Sequence, residues 1–201
     1  MVRAWSRVTY RQVDYHPYVP RPRTSDTRER IQAAALELFA VKGMHNTSLR
    51  EIAERTGITK PALYYHFTSR EDLLRSLLQP LVDDIEARLA ADEARPDRDP
   101  RTLLADWFDL SYEYRAVTGL VARELGQLAD LDLTIRRVTG WRWRMVALLV
   151  GPDAGVVQQA RAIVAIGGLA DCTVMFGQVP VEELRAGALA GAYGALGLAP
   201  E

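Results

Sequence analysis

The sequence predicts an all-α protein of about nine helices, with a small N-terminal unit and a larger C-terminal one. Through most of the 201 residues, apolar side chains recur at intervals of three and four, as on one face of a helix. Glycines and prolines separate these segments, and no stretch shows the sustained alternation of a strand. The chain is 48% hydrophobic and 25% charged, which is typical of a globular protein with a substantial core.

Several classes of protein are excluded by composition. The single cysteine, Cys172, excludes an internal disulfide framework and a cysteine-built zinc site. No run approaches 18 uncharged apolar residues, so a membrane span is not expected. Residues 1–18 lack the apolar core of a secretory signal. We therefore expect a soluble cytoplasmic protein without a membrane partner.

The charges are divided unevenly along the chain. Residues 1–68 contain 11 Lys and Arg against 6 Asp and Glu, a net charge of +5, whereas residues 69–201 contain 14 against 20, a net charge of −6. The basic excess is concentrated in residues 1–24, which have five arginines and one aspartate. This asymmetry indicates an anion-binding N-terminal end, and nucleic acid is the obvious candidate.

The N-terminal end is predicted to be an arm followed by a helix. Residues 1–24 lack helical periodicity and contain three prolines, which favours a flexible arm. A capping residue (Ser25, Asp26 or Thr27) precedes a first helix. Gly43 is expected to end that helix, because glycine readily adopts the left-handed conformation found there.

Two short helices around a tight turn follow. Ser48 and Glu51 have the spacing of a capping box, which predicts the start of a second helix that Gly57 ends. Thr59 predicts the cap of a third helix. The small side chains of Ala53 and Gly57 permit the close crossing of a helix-turn-helix, whose second helix lies in the major groove of DNA.

The rest of the chain is predicted to form a larger helical unit. A long helix over residues 70–94 has a continuous leucine-rich stripe, with acidic residues in its first turn. Gly119 and later glycines and prolines are expected to separate the remaining helices. These helices are predicted at residues 101–117, 120–129, 131–150, 154–176 and 180–197.

The helix-turn-helix segment resembles the tetracycline-repressor (TetR) family. The resemblance rests on TSLREIA at residues 47–53, GITKPALYYHF at 57–67 and SREDLL at 69–74. It covers about residues 27–75. Two features depart from the family pattern: Met44 and His45 replace a usual glycine-aromatic pair, and Ala62 stands where a hydroxyl residue often contacts a base.

The resemblance implies a DNA-binding domain at residues 25–70 and a set of contacts within it. The third helix begins with Thr59 and Lys60, where backbone N–H groups and an ammonium suit phosphates. Tyr64 and His66 match phosphate and sugar contacts of the family, and Tyr65 matches a variable position near bases or backbone. The predicted DNA contacts are Thr47, Ser48, Arg50, Thr59, Lys60, Pro61, Ala62, Tyr64, Tyr65 and His66. Whether the arm also contacts DNA is left open.

The last two helices are predicted to form a dimer interface. A single helix-turn-helix contacts few base pairs, and a two-fold dimer places two recognition helices about 34–36 Å apart. The last two helices are rich in small and apolar residues, and in the TetR family this pair forms a four-helix bundle with its mate. The alternative is an alanine- and glycine-rich internal core. The predicted interface residues are Ala160, Ile163, Val164, Gly167, Ala170, Val174, Leu189, Tyr193 and Leu196.

The middle helices are predicted to enclose a ligand pocket, so that residues 71–201 form a sensing and dimerisation domain. Aromatic and apolar side chains line small-molecule pockets, although many in any bundle are simply core. The predicted lining residues are Trp107, Phe108, Tyr112, Trp141, Met145, Met175 and Phe176. Neither the effector nor the operator sequence follows from these residues.

These observations predict a homodimeric repressor that binds a palindromic operator and is released by a small-molecule effector. An enzyme is not expected, because the three histidines lack metal-ligand spacing and no phosphate loop or nucleophile elbow occurs. No cofactor or metal is predicted. The other alternative is a helical interaction module that has lost DNA binding, against which the intact segment at residues 59–67 argues.

Overall fold

The part of the chain that the structure describes is formed by nine α-helices and has no strand. The structure is a computed structural model that describes residues 24–95, 97–124, 134–176 and 179–198, without the side chains of 24–25, 122–124 and 134–139. The helices are α1 (Thr24–Lys42), α2 (Leu49–Thr56), α3 (Lys60–His66), α4 (Arg70–Glu93), α5 (Pro100–Glu113), α6 (Arg115–Glu124), α7 (Thr134–Val150), α8 (Val156–Met175) and α9 (Val181–Leu196). The all-α prediction is confirmed. The predicted arm lies outside the described residues, except for Thr24.

The helices enclose two hydrophobic cores. The first, which we call the head core, is formed by α1, α2, α3, the first half of α4 and one residue of α6. The second, the body core, is formed by the second half of α4 with α5 and α7–α9. Head and body therefore each have the buried apolar cluster that a folded unit needs.

Helix α4 joins the two cores. Leu73 and Leu77 pack in the head core, whereas Ile85 and Leu89 pack in the body core. The helix continues through Pro80, which is exposed. None of the helices that the structure describes is long and apolar enough to cross a membrane.

Helix α6 is a second connection between head and body. Its position differs from the predicted helix boundaries. The expected helix over residues 101–117 ends at Glu113, and Gly119 lies inside α6 instead of marking a break. Its backbone approaches α8 so closely that a Cβ at Gly119 would be 3.3 Å from Cγ1 of Val174. The next residue, Leu120, packs in the head core. Gly119 is therefore explained by helix packing and not by a turn.

Ion pairs connect the second half of α4 to neighbouring parts of the body. Arg98 donates hydrogen bonds to Asp92 at the end of α4 and to Asp106 of α5. Arg144 of α7 donates to Glu93 at 2.7 Å and to Glu86 at 2.6 Å. These contacts hold the second half of α4 against its neighbours.

Candidate nucleic-acid interface

The capping box predicted at the start of α2 is present. The Ser48 side chain accepts a hydrogen bond from the Glu51 N–H at 3.2 Å, and Glu51 Oε2 accepts one from the Ser48 N–H at 2.8 Å. Lys42 of α1 donates to Glu51 Oε1 at 2.6 Å. The hydrogen bond from Lys42, followed by those from Ser48, lowers the pKa of Glu51 to about 2. The carboxylate therefore stays ionised and fixes the start of α2 against the end of α1.

The turn between α2 and α3 depends on Gly57. This residue has φ +71°, a left-handed conformation that side chains disfavour. The Gly57 N–H donates to Glu54 O at 3.2 Å and the Ile58 N–H donates to Ala53 O at 3.0 Å, so the turn satisfies carbonyls at the end of α2. The chain can then reverse within three residues and begin α3.

Helix α3 has one buried side and one exposed side. Thr59 caps its start by accepting a hydrogen bond from the Ala62 N–H at 3.3 Å. Leu63 and Phe67, four residues apart, have no exposed surface and anchor the helix to the head core. Tyr64 and Tyr65, which lie between them, are consequently directed outward.

The outward side of α3 carries the cation and the aromatic rings expected of a DNA-binding helix. Lys60 and Pro61 are exposed, and Tyr64 and Tyr65 are 42% and 80% exposed. The Lys60 ammonium lies 5.7 Å from the centre of the Tyr64 ring. The Tyr65 and His66 rings meet edge to face, with centroids 5.4 Å apart. Ala62 and His66 are half-buried at the margins of this surface.

The predicted contacts around α2 differ in their availability. Thr47 is buried, and its hydroxyl donates to Gly43 O at 2.9 Å, so its side chain is unavailable to DNA and the sequence prediction for it is revised. Ser48 is exposed, although its hydroxyl serves the capping box. Arg50 is exposed and pairs with Glu54 at 2.8 Å. An exposed pair of this kind is weak, so a phosphate could compete for the guanidinium.

Most cations of the head are engaged within the protein, which the charge count could not indicate. Lys42, Arg50 and Arg55 each form an ion pair, with Glu51, Glu54 and Glu37 respectively. Among the described residues, no carboxylate forms an ion pair with Lys60. Lys60 therefore presents a positive charge to solvent at the start of α3.

The residues predicted to line a pocket are divided between the body core and the surface. Phe108, Trp141 and Met145 are buried in the body core, and Trp107 and Tyr112 pack beside it. Met175 and Phe176 are 78% and 51% exposed, so they do not line an internal pocket and that part of the prediction is withdrawn. Phe108 and Tyr112 stack, with centroids 6.1 Å apart.

The residues predicted for a dimer interface also fall into two groups. On α8, Ala160, Ile163, Val164 and Val174 are exposed, and Gly167 and Ala170 are half-buried. On α9, Leu189 is buried in the body core, while Tyr193 and Leu196 are half-buried against it. Leu189 cannot contact a second copy in this arrangement, so its assignment is corrected. Beyond Glu182 and Glu183 in its first turn, the exposed side of α9 consists of small residues that the sequence did not single out, namely Ala186, Gly187, Ala190, Gly191 and Gly194.

The head is similar to a known family of proteins. The family model for bacterial regulatory proteins of the tetR family matches residues 31–77, which span the head from α1 into α4. This segment of the chain is therefore similar to the tetR family. The resemblance seen in the sequence is thereby confirmed.

Relatives in the family are similar to part of the chain. The transcriptional regulator RutR of Escherichia coli K12 is 32% identical over 120 residues, covering 58% of this chain and 55% of RutR. TtgR of Pseudomonas putida is 35% identical over 75 residues, 37% of this chain and 36% of TtgR. The transcriptional activator FasR of Mycolicibacterium smegmatis is 40% identical over 60 residues, 30% of this chain and 27% of FasR. The chain thus spans about a quarter to just over half of these relatives.

Solved structures show the same fold over most of the chain. SCO3833 of Streptomyces coelicolor, a TetR-family member, has a TM-score of 0.68 at 19% identity, covering 85% of this chain and 91% of its own. A transcriptional regulator from Aquifex aeolicus has a TM-score of 0.66 at 22% identity, covering 82% and 96%. These similarities establish the architecture of head and body together.

Proposed function

We propose that this protein is a DNA-binding transcription regulator in which α3 enters the major groove. The observation that carries the proposal is the exposed side of α3, where Lys60, Tyr64 and Tyr65 face solvent while Leu63 and Phe67 hold the helix from behind. An exposed cation and phenol groups on a short, firmly anchored helix suit contacts to phosphates and base edges. The matched family and the names of the relatives support the same function.

We propose that the regulator acts as a homodimer through the outer sides of α8 and α9. Val164 is 63% exposed, and a Cβ at Gly168, Gly187, Gly191 or Gly194 would meet no heavy atom of the same chain within 4 Å. A glycine inside a helix costs about 0.5–1 kcal/mol relative to alanine, so packing within one protomer gives no reason for these glycines. Close approach of α8 and α9 from a second copy would explain why these positions are glycine.

We propose that the dimer is a repressor that binds a palindromic operator and is released by a small molecule. Two-fold symmetry of the protein requires two-fold symmetry of its site, and a dimer on a promoter excludes polymerase from the same DNA. The effector site is placed in the body beside Trp107, Phe108, Tyr112, Trp141 and Met145. Since α4 packs in both cores, an effector that favours one placement of α4 changes the spacing of the two α3 helices.

Selection of duplexes from a random pool by the purified protein tests this function. The expected result is a palindrome whose half-sites are centred about one helical turn apart. In vitro transcription from a promoter that contains the selected site should fall as protein is added. Recovery of unrelated sequences would contradict sequence-specific DNA recognition. Increased transcription would contradict the repressor role but not DNA recognition.

A further inference from the structure

Two arginines near the start of α1 contact the ends of both helices of the helix-turn-helix. Arg28 Nη1 donates a hydrogen bond to the His66 carbonyl, the last of α3, at 2.9 Å. Arg30 Nη2 donates to the Thr56 carbonyl, the last of α2, at 2.7 Å. Residues two apart lie about 200° apart around a helix axis, so the two side chains can reach two different helices.

Each contact satisfies a group that a helix leaves unpaired. The last carbonyls of a helix have no partner within it and together carry a partial negative charge, which a guanidinium neutralises. At the end of α2, Gly57 and Ile58 donate to Glu54 and Ala53, and Arg30 supplies the donor for Thr56. At the end of α3, Phe67 donates to Leu63, and Arg28 supplies the donor for His66.

Arg28 also acts on the segment where α3 passes into α4. Its guanidinium carbon lies 4.3 Å from the centre of the Phe67 ring, which is fully buried. Its charge also acts on Asp72 in the first turn of α4, whose pKa is lowered first by the hydrogen bond from the Thr68 N–H and further by Arg28. One side chain of α1 thus contacts the end of α3 and its anchor Phe67, and its charge acts on the start of α4.

We propose that Arg28 and Arg30 are positioning residues for DNA recognition, Arg28 for the recognition helix α3 and Arg30 for α2. Their guanidinium groups bind protein carbonyls and not DNA phosphates. Arg28 sets the orientation of α3 relative to α1 and α4, and this orientation decides whether Tyr64 and Tyr65 meet the base edges together. The inference rests on the proposed DNA-binding function.

Binding measured on the selected duplex and on a scrambled duplex tests the role of Arg28. We expect Arg28→Met to weaken binding to the selected duplex about tenfold, because the helix loses a charged hydrogen bond, and to leave binding to the scrambled duplex nearly unchanged. Arg28→Lys should restore part of the preference. Arg55→Met is the matched control, since it also removes one arginine of the head but one that pairs with the side chain of Glu37.

The salt dependence and the scrambled duplex distinguish the alternatives. A residue that positions α3 leaves the slope of log affinity against log salt unchanged, whereas loss of a phosphate contact reduces it by about 0.9. A reduced slope for Arg28→Met would therefore contradict the inference. An equal loss on both duplexes would also contradict it, because this is the result of partial unfolding.

Hydrogen exchange of the protein without DNA keeps the inference testable if the proposed function fails. We expect Arg28→Met to speed amide exchange in a peptide covering residues 60–67, and Arg30→Met to speed it in a peptide covering 49–57, each with little effect on the other. Equal exchange in both variants and the wild type would overturn the positioning role. Absence of any preferred duplex for the wild-type protein would instead overturn DNA recognition.

Discussion

At the scale of single residues, the surroundings of a charge decide what it does. Five of the six arginines and lysines in residues 25–68 contact carboxylates or helix ends, and most of the net charge of +5 over residues 1–68 comes from residues 1–24. The sequence identified Lys60 correctly as an exposed cation at the start of α3. It could not assign Arg28 or Arg30, because their partners are backbone carbonyls 38 and 26 residues away.

Substitution of Lys60 tests the assignment of this cation to a phosphate. We expect Lys60→Met to weaken binding to every duplex to a similar extent and to reduce the salt slope by about 1 per protomer, because one counterion fewer is released. Fluorescence anisotropy from about 50 to 200 mM salt measures both quantities. Arg55→Met, which alters a paired arginine, should leave the slope unchanged; an unchanged slope for Lys60→Met would contradict the assignment.

Two ion pairs of the body differ mainly in burial and should differ in their effect on stability. The Asp92 side chain is 2% exposed and pairs with Arg98, whereas Asp109 is 51% exposed and pairs with Arg185 at 2.8 Å. We expect Asp92→Ala to lower the free energy of unfolding by about 3 kcal/mol, since it leaves a largely buried guanidinium short of a partner. Asp109→Ala should lower it by less than about 1 kcal/mol. Urea unfolding measures both, and equal losses would contradict the distinction.

At the scale of helices, short-range signals predicted the head well. The capping box of Ser48 and Glu51, the end of α2 at Gly57 and the cap at Thr59 are all found where the sequence predicted them. Such signals depend on residues three or four apart, so they can be recognised without the fold. Gly119 could not be interpreted in this way, because the reason for its small size is the approach of Val174 from α8.

The ionised carboxylate of Glu51 should make the start of α2 sensitive to acid. Its pKa is lowered from 4.5 to about 2 in the folded protein, so its stabilising contribution is complete above 4.5 and is lost as the pH falls towards 2. We expect Glu51→Gln to melt at a lower temperature than the wild type at pH 7, with a difference that shrinks below pH 4.5. Thermal unfolding followed by circular dichroism measures this difference. A difference that stays constant down to pH 3 would show that the charge of Glu51 contributes nothing.

At the scale of the whole molecule, α4 and α6 connect the head to the body. Leucines of α4 pack in both cores, and α6 contacts α8 through Gly119 and the head core through Leu120. A change in the body therefore has two packed routes to α3. The sequence predicted a long helix over residues 70–94 from its continuous leucine-rich stripe. It could not predict the second connection, because contacts between distant helices leave no local pattern.

The exposed side of α9 should be required for dimer formation. We expect Gly191→Leu to give a folded monomer, because the new side chain meets open space in its own protomer but would block the approach of a second copy. Sedimentation equilibrium measures the molecular mass, and circular dichroism measures the helix content. The same leucine introduced as Ala90→Leu on the exposed side of α4 should leave the dimer intact. If Gly191→Leu remains a dimer, the interface does not include this side of α9.

The measurement that tests the central claim most directly compares the wild type with Tyr64→Ala on the selected duplex and on its scrambled counterpart. We expect the wild type to prefer the selected duplex at least about a thousandfold at physiological salt. The loss of the exposed phenol should weaken binding to the selected duplex about tenfold, with the fold of the head retained, because Leu63 and Phe67 still anchor α3. Equal affinity of the wild type for both duplexes would contradict recognition by α3, and an unchanged affinity of Tyr64→Ala would remove Tyr64 from the interface.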